Sequence, residues 1–253
     1  MGFTTHCPPL AQGPPAHTMV FSKRTTRALD SDMRNLSQML AAMGELAESQ
    51  VAHAIDALAT ADRDIASTVV AEDAAIDSMQ KTIDETVIET IARRHPVADD
   101  LREILGILQI ANEYARIGDL TKNIGRRILA MGDGDVAPGP AHGLRRMALA
   151  VFRQLHSVLV SLVQRDAKTA LNVWARDQYV DRLCAGLSRQ LMAQMAEDPR
   201  SIASGIHLLF CAKNLERMGD HATNIAEAIY FMVEGQRLLA ERPKADVTGA
   251  VTT

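Results

Sequence analysis

Acidic residues lie four apart on three segments that carry the apolar periodicity of helices. These pairs are Asp73 with Asp77, Asp177 with Asp181, and Glu216 with Asp220. Side chains at positions i and i+4 project from one face of a helix, where like charges repel by a few tenths of a kcal/mol. Two such helices side by side would present about four carboxylates to one point. Such a surface either faces solvent or chelates a cation that prefers oxygen, such as iron, manganese, magnesium or calcium, with zinc also possible.

The acidic stripe of the last segment continues an apolar face. Ile202 and Ile206 begin that face, and Asn224 and Glu227 extend it beyond the Glu216/Asp220 pair. Burying an ionised carboxylate without a partner costs far more than the repulsion between neighbours, which favours a bound cation; a solvated helix face is the alternative. Asn224 could add a neutral oxygen ligand or be an ordinary surface amide, and the same two interpretations apply to Asn123.

Two glycines stand directly before key aspartates. Gly118 precedes Asp119, and Gly219 precedes Asp220. Glycine inside a helix costs about 1 kcal/mol relative to alanine, so two glycines in corresponding places indicate a close approach of the backbone. They fit either a ligand site or a point where two helices cross.

Apolar periodicity and proline or glycine breaks divide the chain into six helical segments. Asp62 is a predicted N-cap, and Pro96, a Gly/Pro-rich stretch and Pro199 mark other ends. The predicted organisation is a disordered tail at 1–28, a first bundle at 29–132, a linker at 133–143, a second bundle at 144–237 and a disordered tail at 238–253. The last three predicted helices span about 144–165, 167–197 and 200–235.

The two halves repeat one plan. Asp119 and Asp220 are 101 residues apart, and Asp73 and Asp177 are 104 residues apart, with the same helix order around each pair. No segment shows the alternating pattern of a strand. The sequence therefore predicts an all-α fold of two tandem three-helix bundles.

Bulk composition excludes several classes of protein. The net charge of −4 offers no basic surplus for nucleic acid. The three cysteines are scattered without a CxxC spacing, which favours a reducing, cytoplasmic location. We expect neither a secretory signal nor a membrane-spanning run of about 18 apolar residues. Nucleophile–base motifs, phosphate loops and HExxH are also missing.

The second-half string from Leu215 to Glu227 reads LERMGDHATNIAE. With Ala111–Ile128, and with RRHP and DLR around 93–102, it resembles the PhoU family, in which E(D)xxxD motifs repeat in two three-helix bundles. The resemblance covers about residues 30–236. It implies metal ligands at Asp73, Asp77, Asp119, Asn123, Asp177, Asp181, Glu216, Asp220, Asn224 and Glu227.

The resemblance also implies a function. It predicts a regulator, not an enzyme, that holds multinuclear iron or zinc clusters, with magnesium or manganese possible. Such a protein restrains phosphate uptake and the phosphate-starvation response by linking the ATPase subunit of a phosphate ABC transporter to a membrane sensor histidine kinase. We further expect a homodimer that binds no nucleic acid and reaches the membrane only through its partners.

One position departs from the family pattern. The family usually reads ERIGD in the third helix, whereas this chain has Ala115 in place of the glutamate. Alanine cannot bind a metal, so the first cluster is predicted to be weaker, smaller or absent.

Two other functions compete with this interpretation. A carboxylate-bridged di-iron enzyme normally needs Glu-x-x-His pairs, which the sequence lacks. His221, beside Asp220, is predicted to point about 100° away from it. A metal-free helical scaffold that docks a basic partner is the third hypothesis.

Overall fold

The computed structural model describes residues 23–131 and 138–238. Within them the chain forms seven α-helices, one 3-10 turn and no strand. The helices are α1 (Lys23–Thr60), α2 (Arg63–Arg94), α3 (Asp99–Ala130), α4 (Pro138–Gln164), α5 (Ala167–Ala175), α6 (Gln178–Glu197) and α7 (Ile202–Glu234), with the 3-10 turn at Pro199–Ser201. The predicted all-α fold is confirmed.

Three boundaries differ from prediction. The α1 helix starts at Lys23, so residues 23–28 are helical and not part of a disordered tail; α4 starts at Pro138, inside the predicted linker. The predicted helix at 167–197 is interrupted at Arg176–Asp177, where the Asp177 side chain turns towards Thr223 on α7. The tail predictions for 1–22 and 239–253, and the linker at 133–137, lie outside the described residues.

Each half forms a three-helix bundle, and in the second half α5 and α6 together take the place of one helix. The first consists of α1, α2 and α3, and the second of α4, α5 with α6, and α7. Apolar side chains at helical spacing, such as Leu36, Leu40 and Met43 on α1, are fully buried, because an amphipathic helix is stabilised mainly by packing its apolar stripe.

The two bundles meet along α3 and α7, and along α1 and α4. Glu113 on α3 contacts His221 and Asn224 on α7, whereas Arg127, further along α3, lies over Phe210, earlier on α7. The two helices therefore run antiparallel, and equivalent positions of the two halves lie towards opposite ends of this interface.

The repeat extends to the turn before the second helix of each bundle. Asp62 caps α2 by accepting hydrogen bonds from the amides of Asp64 and Ile65, and Asp166, 104 residues later, caps α5 in the same way. The residues before the caps, Ala61 and Arg165, both adopt left-handed backbone conformations, with φ of 53° and 52°. The N-cap predicted at Asp62 is confirmed.

One helix is long and apolar enough to cross a membrane. It spans Pro140–Gln164, has a mean hydropathy of 1.3, and 39% of it is buried. By length and composition alone, this helix departs from the expectation of no membrane-spanning run. Core helices pass the same test, and this helix packs against α1, α6 and α7.

We predict that Ala61→Gly stabilises the protein by about 0.5–1 kcal/mol, because a left-handed φ is strained for alanine but not for glycine. Ala42 is the matched control: it is also exposed but lies in the middle of α1, so Ala42→Gly is expected to destabilise by a similar amount. Urea unfolding of both variants measures the two effects. Equal destabilisation by both would contradict the assignment of strain to Ala61.

Candidate functional site

The first acidic face consists of Asp73 and Asp77 on α2 with Ala115, Asp119 and Asn123 on α3. Its centre is occupied by a lysine of the chain itself. Lys122 Nζ lies 2.5 Å from Asp73 Oδ2 and 3.0 Å from Asp119 Oδ1. Asp73 is only 5% exposed, so this ammonium group supplies the neutralising charge that a buried carboxylate requires.

The charge state of Lys122 follows from the same contacts. The hydrogen bond to Asp73 raises the pKa of Lys122, and the one to Asp119 acts in the same direction. Lys122 is therefore an internal cation at neutral pH, and it lies where a metal bound by these carboxylates would have to lie. The buried Oδ1 atom of Asp73 is among the few buried side-chain atoms of the described residues that have no hydrogen-bond partner.

The other predicted ligands of the first face do not complete a site. Asp77 is exposed, Asn123 is half-buried, and Ala115 is buried. Arg116 approaches Asp119 at 3.5 Å, in an exposed pair that contributes little to stability. The first face thus lacks a glutamate and contains its own cation, and the weak or absent first cluster stays a prediction.

The second acidic face consists of Asp177 and Asp181 with Glu216, Asp220, Asn224 and Glu227 on α7. Thr223 stands 101 residues after Lys122, at the corresponding place. Its hydroxyl donates a 2.7 Å hydrogen bond to Asp177 Oδ1, and Asp177 is 3% exposed. A neutral hydroxyl therefore takes the place of the ammonium group, and no charge is supplied at this position.

On the second face, the surroundings of Glu216 are the most typical of a metal ligand. Its side chain is 14% exposed, and its nearest cation is Lys213, whose side chain is 63% exposed. Burial, and then the charge of Glu216, raises the pKa of the Cys184 thiol, with a smaller contribution from Asp181. Cys184 thus lies beside these carboxylates as a neutral thiol.

Two predicted ligands of the second face are directed elsewhere. Glu227 Oε1 accepts a 2.9 Å hydrogen bond from Trp174 Nε1. Asn224 donates to Glu113 on α3 at 3.1 Å, and His221 Nδ1 lies 2.6 Å from the same carboxylate oxygen. His221 pairs with Glu113 across the two bundles.

The two helix glycines are explained by packing. A Cβ atom at Gly118 would lie 3.1 Å from Ile76 Cδ1, and one at Gly219 would lie 3.2 Å from Gln154 Oε1 and 3.4 Å from Val180 Cγ1. Both glycines therefore accommodate side chains of neighbouring helices. Of the two interpretations of these glycines, the structure favours helix crossing over a ligand site.

The predicted ligands do not converge. Across residues 23–131 and 138–238, no group of three or more Asp, Glu, His or Cys side chains is placed to hold a metal ion. The first face does not fit a metal, because Lys122 occupies its centre. The second face offers oxygen donors with the neutral Thr223 in place of Lys122, but the positions of its side chains do not form a coordination shell, so metal binding stays a prediction.

The residues that sequence reasoning missed all stand at repeat positions. Comparison of the halves at a separation of 101 residues pairs Lys122 with Thr223, and Arg126 with Glu227. Those two exchanges make α3 more positive than α7 at corresponding positions. The signal was available in the internal alignment at this separation, which also pairs Ala115 with Glu216.

We predict that Lys122→Met lowers the free energy of unfolding by about 2–3 kcal/mol at pH 7, because it leaves the Asp73 carboxylate buried without a partner. The contribution of Lys122 is present below the pKa of a lysine in the unfolded chain and is lost as pH rises through its raised value in the fold. The effect of the substitution should therefore diminish at strongly alkaline pH.

Two further variants control this experiment, read by urea unfolding. Lys81 is 78% exposed and 4.0 Å from Glu85, so Lys81→Met should change stability by less than about 0.5 kcal/mol. Replacing both buried partners, as Asp73→Leu/Lys122→Met, should recover most of the loss. A double variant as unstable as Lys122→Met alone would contradict the assigned pairing.

Comparisons with known proteins agree with this duplicated architecture. A family model described as "PhoU domain" matches residues 40–128 and 144–229. These ranges coincide with the two bundles.

Relatives are similar over most of their length. The chain is 42% identical over 228 residues to a phosphate-specific transport system accessory protein PhoU homolog of Rhizobium meliloti (strain 1021), covering 89% of this chain and 96% of that one. It is 40% identical over 226 residues to the protein of the same name in Caulobacter vibrioides (strain NA1000 / CB15N), covering 89% and 98%.

Solved structures share the fold. The crystal structure of PhoU from Pseudomonas aeruginosa superimposes with a TM-score of 0.79 and 34% identity, covering 82% of this chain and 99% of that one. The phosphate transport system regulatory protein PhoU from Streptococcus pneumoniae gives a TM-score of 0.77 and 25% identity, covering 83% and 99%. On the two matched domains and these relatives, the chain belongs to the PhoU family.

Proposed function

We propose that this chain is a regulatory accessory protein of phosphate transport that restrains phosphate uptake and the phosphate-starvation response. The observation that carries the proposal is the similarity over 89% of the chain to a protein named as an accessory of the phosphate-specific transport system. The duplicated helical fold is shared with a protein named as a regulator of that system.

The chain is not an enzyme, since the family consists of accessory regulatory proteins. The di-iron enzyme hypothesis finds no support in these relatives. The histidine nearest the second face, His221, is engaged with Glu113.

Regulation is proposed to act through two partners, the ATPase subunit of the phosphate ABC transporter and a membrane sensor histidine kinase. The names of the relatives support association with the transport system; the kinase, negative control, a homodimer and a cytoplasmic location follow from the family resemblance alone. The protein would then reach the membrane only through these partners.

Deletion of the gene tests negative control. We expect phosphatase output in phosphate-rich medium to rise, and to return to its original level when the wild-type chain is supplied from a plasmid. The matched genetic control is the same deletion in cells that lack the sensor kinase, where no rise is expected. Unchanged output after deletion would rule out the repressor hypothesis, and a rise without the kinase would rule out the kinase link.

A metal site on the second face is the finer part of the proposal. It is supported by the low exposure of Glu216, by the neighbouring Asp181 and Asp220 on α6 and α7, and by the neutral hydroxyl of Thr223 where the first face has Lys122. Iron or zinc is proposed, with manganese or magnesium as the alternatives. These side chains would have to turn towards one another to bind it.

We predict that Glu216→Ala/Asp220→Ala removes most of the metal bound by the purified protein, as measured by elemental analysis. The matched control is Glu85→Ala/Glu89→Ala, which removes two exposed glutamates of α2 at the same spacing and should leave the metal content unchanged. The converse variant, Ala115→Glu/Lys122→Thr, gives the first face the residues of the second and is expected to gain metal. A double alanine variant that keeps its metal would contradict the asymmetry between the faces.

The metal-free scaffold is the second candidate function, and the lack of a converged ligand group in the described residues favours it. Elemental analysis, together with melting curves recorded with and without chelator, separates the metal-binding regulator from the scaffold. A ligand bound only by the native state raises the melting temperature. A protein without stoichiometric metal, whose melting does not change with chelator, is a scaffold.

A further inference from the structure

A basic cleft lies at the interface of the two bundles, and it shares only Asn123 with the first acidic face. It has a volume of about 360 Å³ and is formed between the last turns of α3 and the middle of α7. Its lining residues are Asn123, Arg126, Arg127, Ala130, Phe210 and Asn214. Among these residues there are two guanidinium groups and two amides, and there is no carboxylate.

The donors of this cleft are not used elsewhere in the described part of the chain. Other basic groups have acidic partners, such as Arg165 with Glu103 and Arg94 with Asp32. Arg126, Asn123 and Asn214 make no hydrogen bond or ion pair with any described residue. The positive charge of Arg126 is therefore not compensated by any side chain of the described residues.

The second arginine is held in place by an aromatic ring. The guanidinium carbon of Arg127 lies 4.1 Å from the centroid of the Phe210 ring, which is a favourable cation–π distance. Arg127 has no carboxylate contact, so its N–H groups remain able to donate. A guanidinium group fixed in advance loses less conformational entropy when it binds an anion.

The internal repeat shows that this charge is specific to one end of the interface. At a separation of 101 residues, Arg126 and Arg127 correspond to Glu227 and Ala228, and Asn214 corresponds to Glu113. The equivalent surface at the other end is therefore acidic, and its carboxylates accept hydrogen bonds from Trp174 and His221. At one end of the interface this position carries unpaired guanidinium donors. At the other end it carries carboxylates that accept hydrogen bonds.

The unpaired hydrogen-bond donors of the cleft define the class of ligand that it can bind. Guanidinium groups bind oxyanions through paired N–H donors, and amide groups add neutral donors at the rim. A cleft of this volume accommodates a phosphate-sized anion. We propose that the basic cleft binds a tetrahedral oxyanion of the phosphate class, with Arg126 and Arg127 as its main ligands and Asn123 and Asn214 as hydrogen-bond donors.

Calorimetric titration of the full chain with inorganic phosphate tests this site. The titration is done at constant ionic strength and with chelator present, so that phosphate held by a metal does not contribute. We expect saturable binding that Arg126→Gln weakens about tenfold, equivalent to the loss of one charge-assisted hydrogen bond. Asn214→Asp, which adds a carboxylate to the cleft, is expected to abolish it. Arg126 is exposed, so its replacement should leave the melting temperature unchanged.

Control titrations identify the source of the anion. Arg189, an exposed arginine of α6 outside the cleft, is the matched control, and Arg189→Gln should bind phosphate as the wild type does. Adenosine monophosphate and sulfate replace phosphate in parallel titrations. Binding of any of the three that is weakened in both cleft variants supports the site and shows which source it accepts. No saturable binding of any of them up to about 10 mM, or equal binding by the wild type and both cleft variants, would overturn the proposal. Because the site does not depend on the proposed function, its failure would leave that function untouched.

Discussion

Each bundle encloses one aspartate, and the partner of that aspartate determines what the surrounding face can do. Asp73 and Asp177 are both less than 10% exposed and occupy equivalent places. A buried carboxylate must be neutralised or fully hydrogen-bonded, because its desolvation costs several kcal/mol. The first bundle meets this requirement with the ammonium group of Lys122 and the second with the hydroxyl of Thr223. One exchange on the third helix of each repeat thus replaces a cation at the buried aspartate with a neutral hydroxyl.

Elsewhere the two halves share structural residues at equivalent positions, whereas the charges on their surfaces differ. The capping aspartates Asp62 and Asp166 and the left-handed residues before them are the same in both halves. Buried side-chain oxygens also repeat, since the Oε1 atoms of Gln50 and Gln154 are both buried and these residues are 104 positions apart. These positions determine where helices start and how they pack. The positions that differ, including Ala115 and Glu216, set the charge of a face.

Much of the fold could be predicted because its signals are local. The Asp62 cap, the stop before Pro96 and the apolar stripe of α1 each depend on a few neighbouring residues. The break at Arg176–Asp177 could not be predicted in this way, because it coincides with a contact between Asp177 and Thr223, 46 residues away. For the same reason, the sequence identified the carboxylates of the candidate site but not their partners. Lys122 was recognisable as basic, yet its position between Asp73 and Asp119 depends on how α2 packs against α3.

The antiparallel packing of α3 and α7 places the charge differences between the two halves at opposite ends of the interface. Equivalent positions of a parallel pair would lie side by side, whereas here they lie towards opposite ends of one interface. Arg126 is therefore far along the interface from its counterpart Glu227, and the two charges cannot neutralise one another at short range. A duplicated chain with equal halves would offer the same surface at both ends and could bind a partner in two orientations. Because one end carries Arg126 and Arg127 and the other carries Glu113 and Glu227, like charges oppose the wrong orientation, and a charged partner can distinguish the two ends.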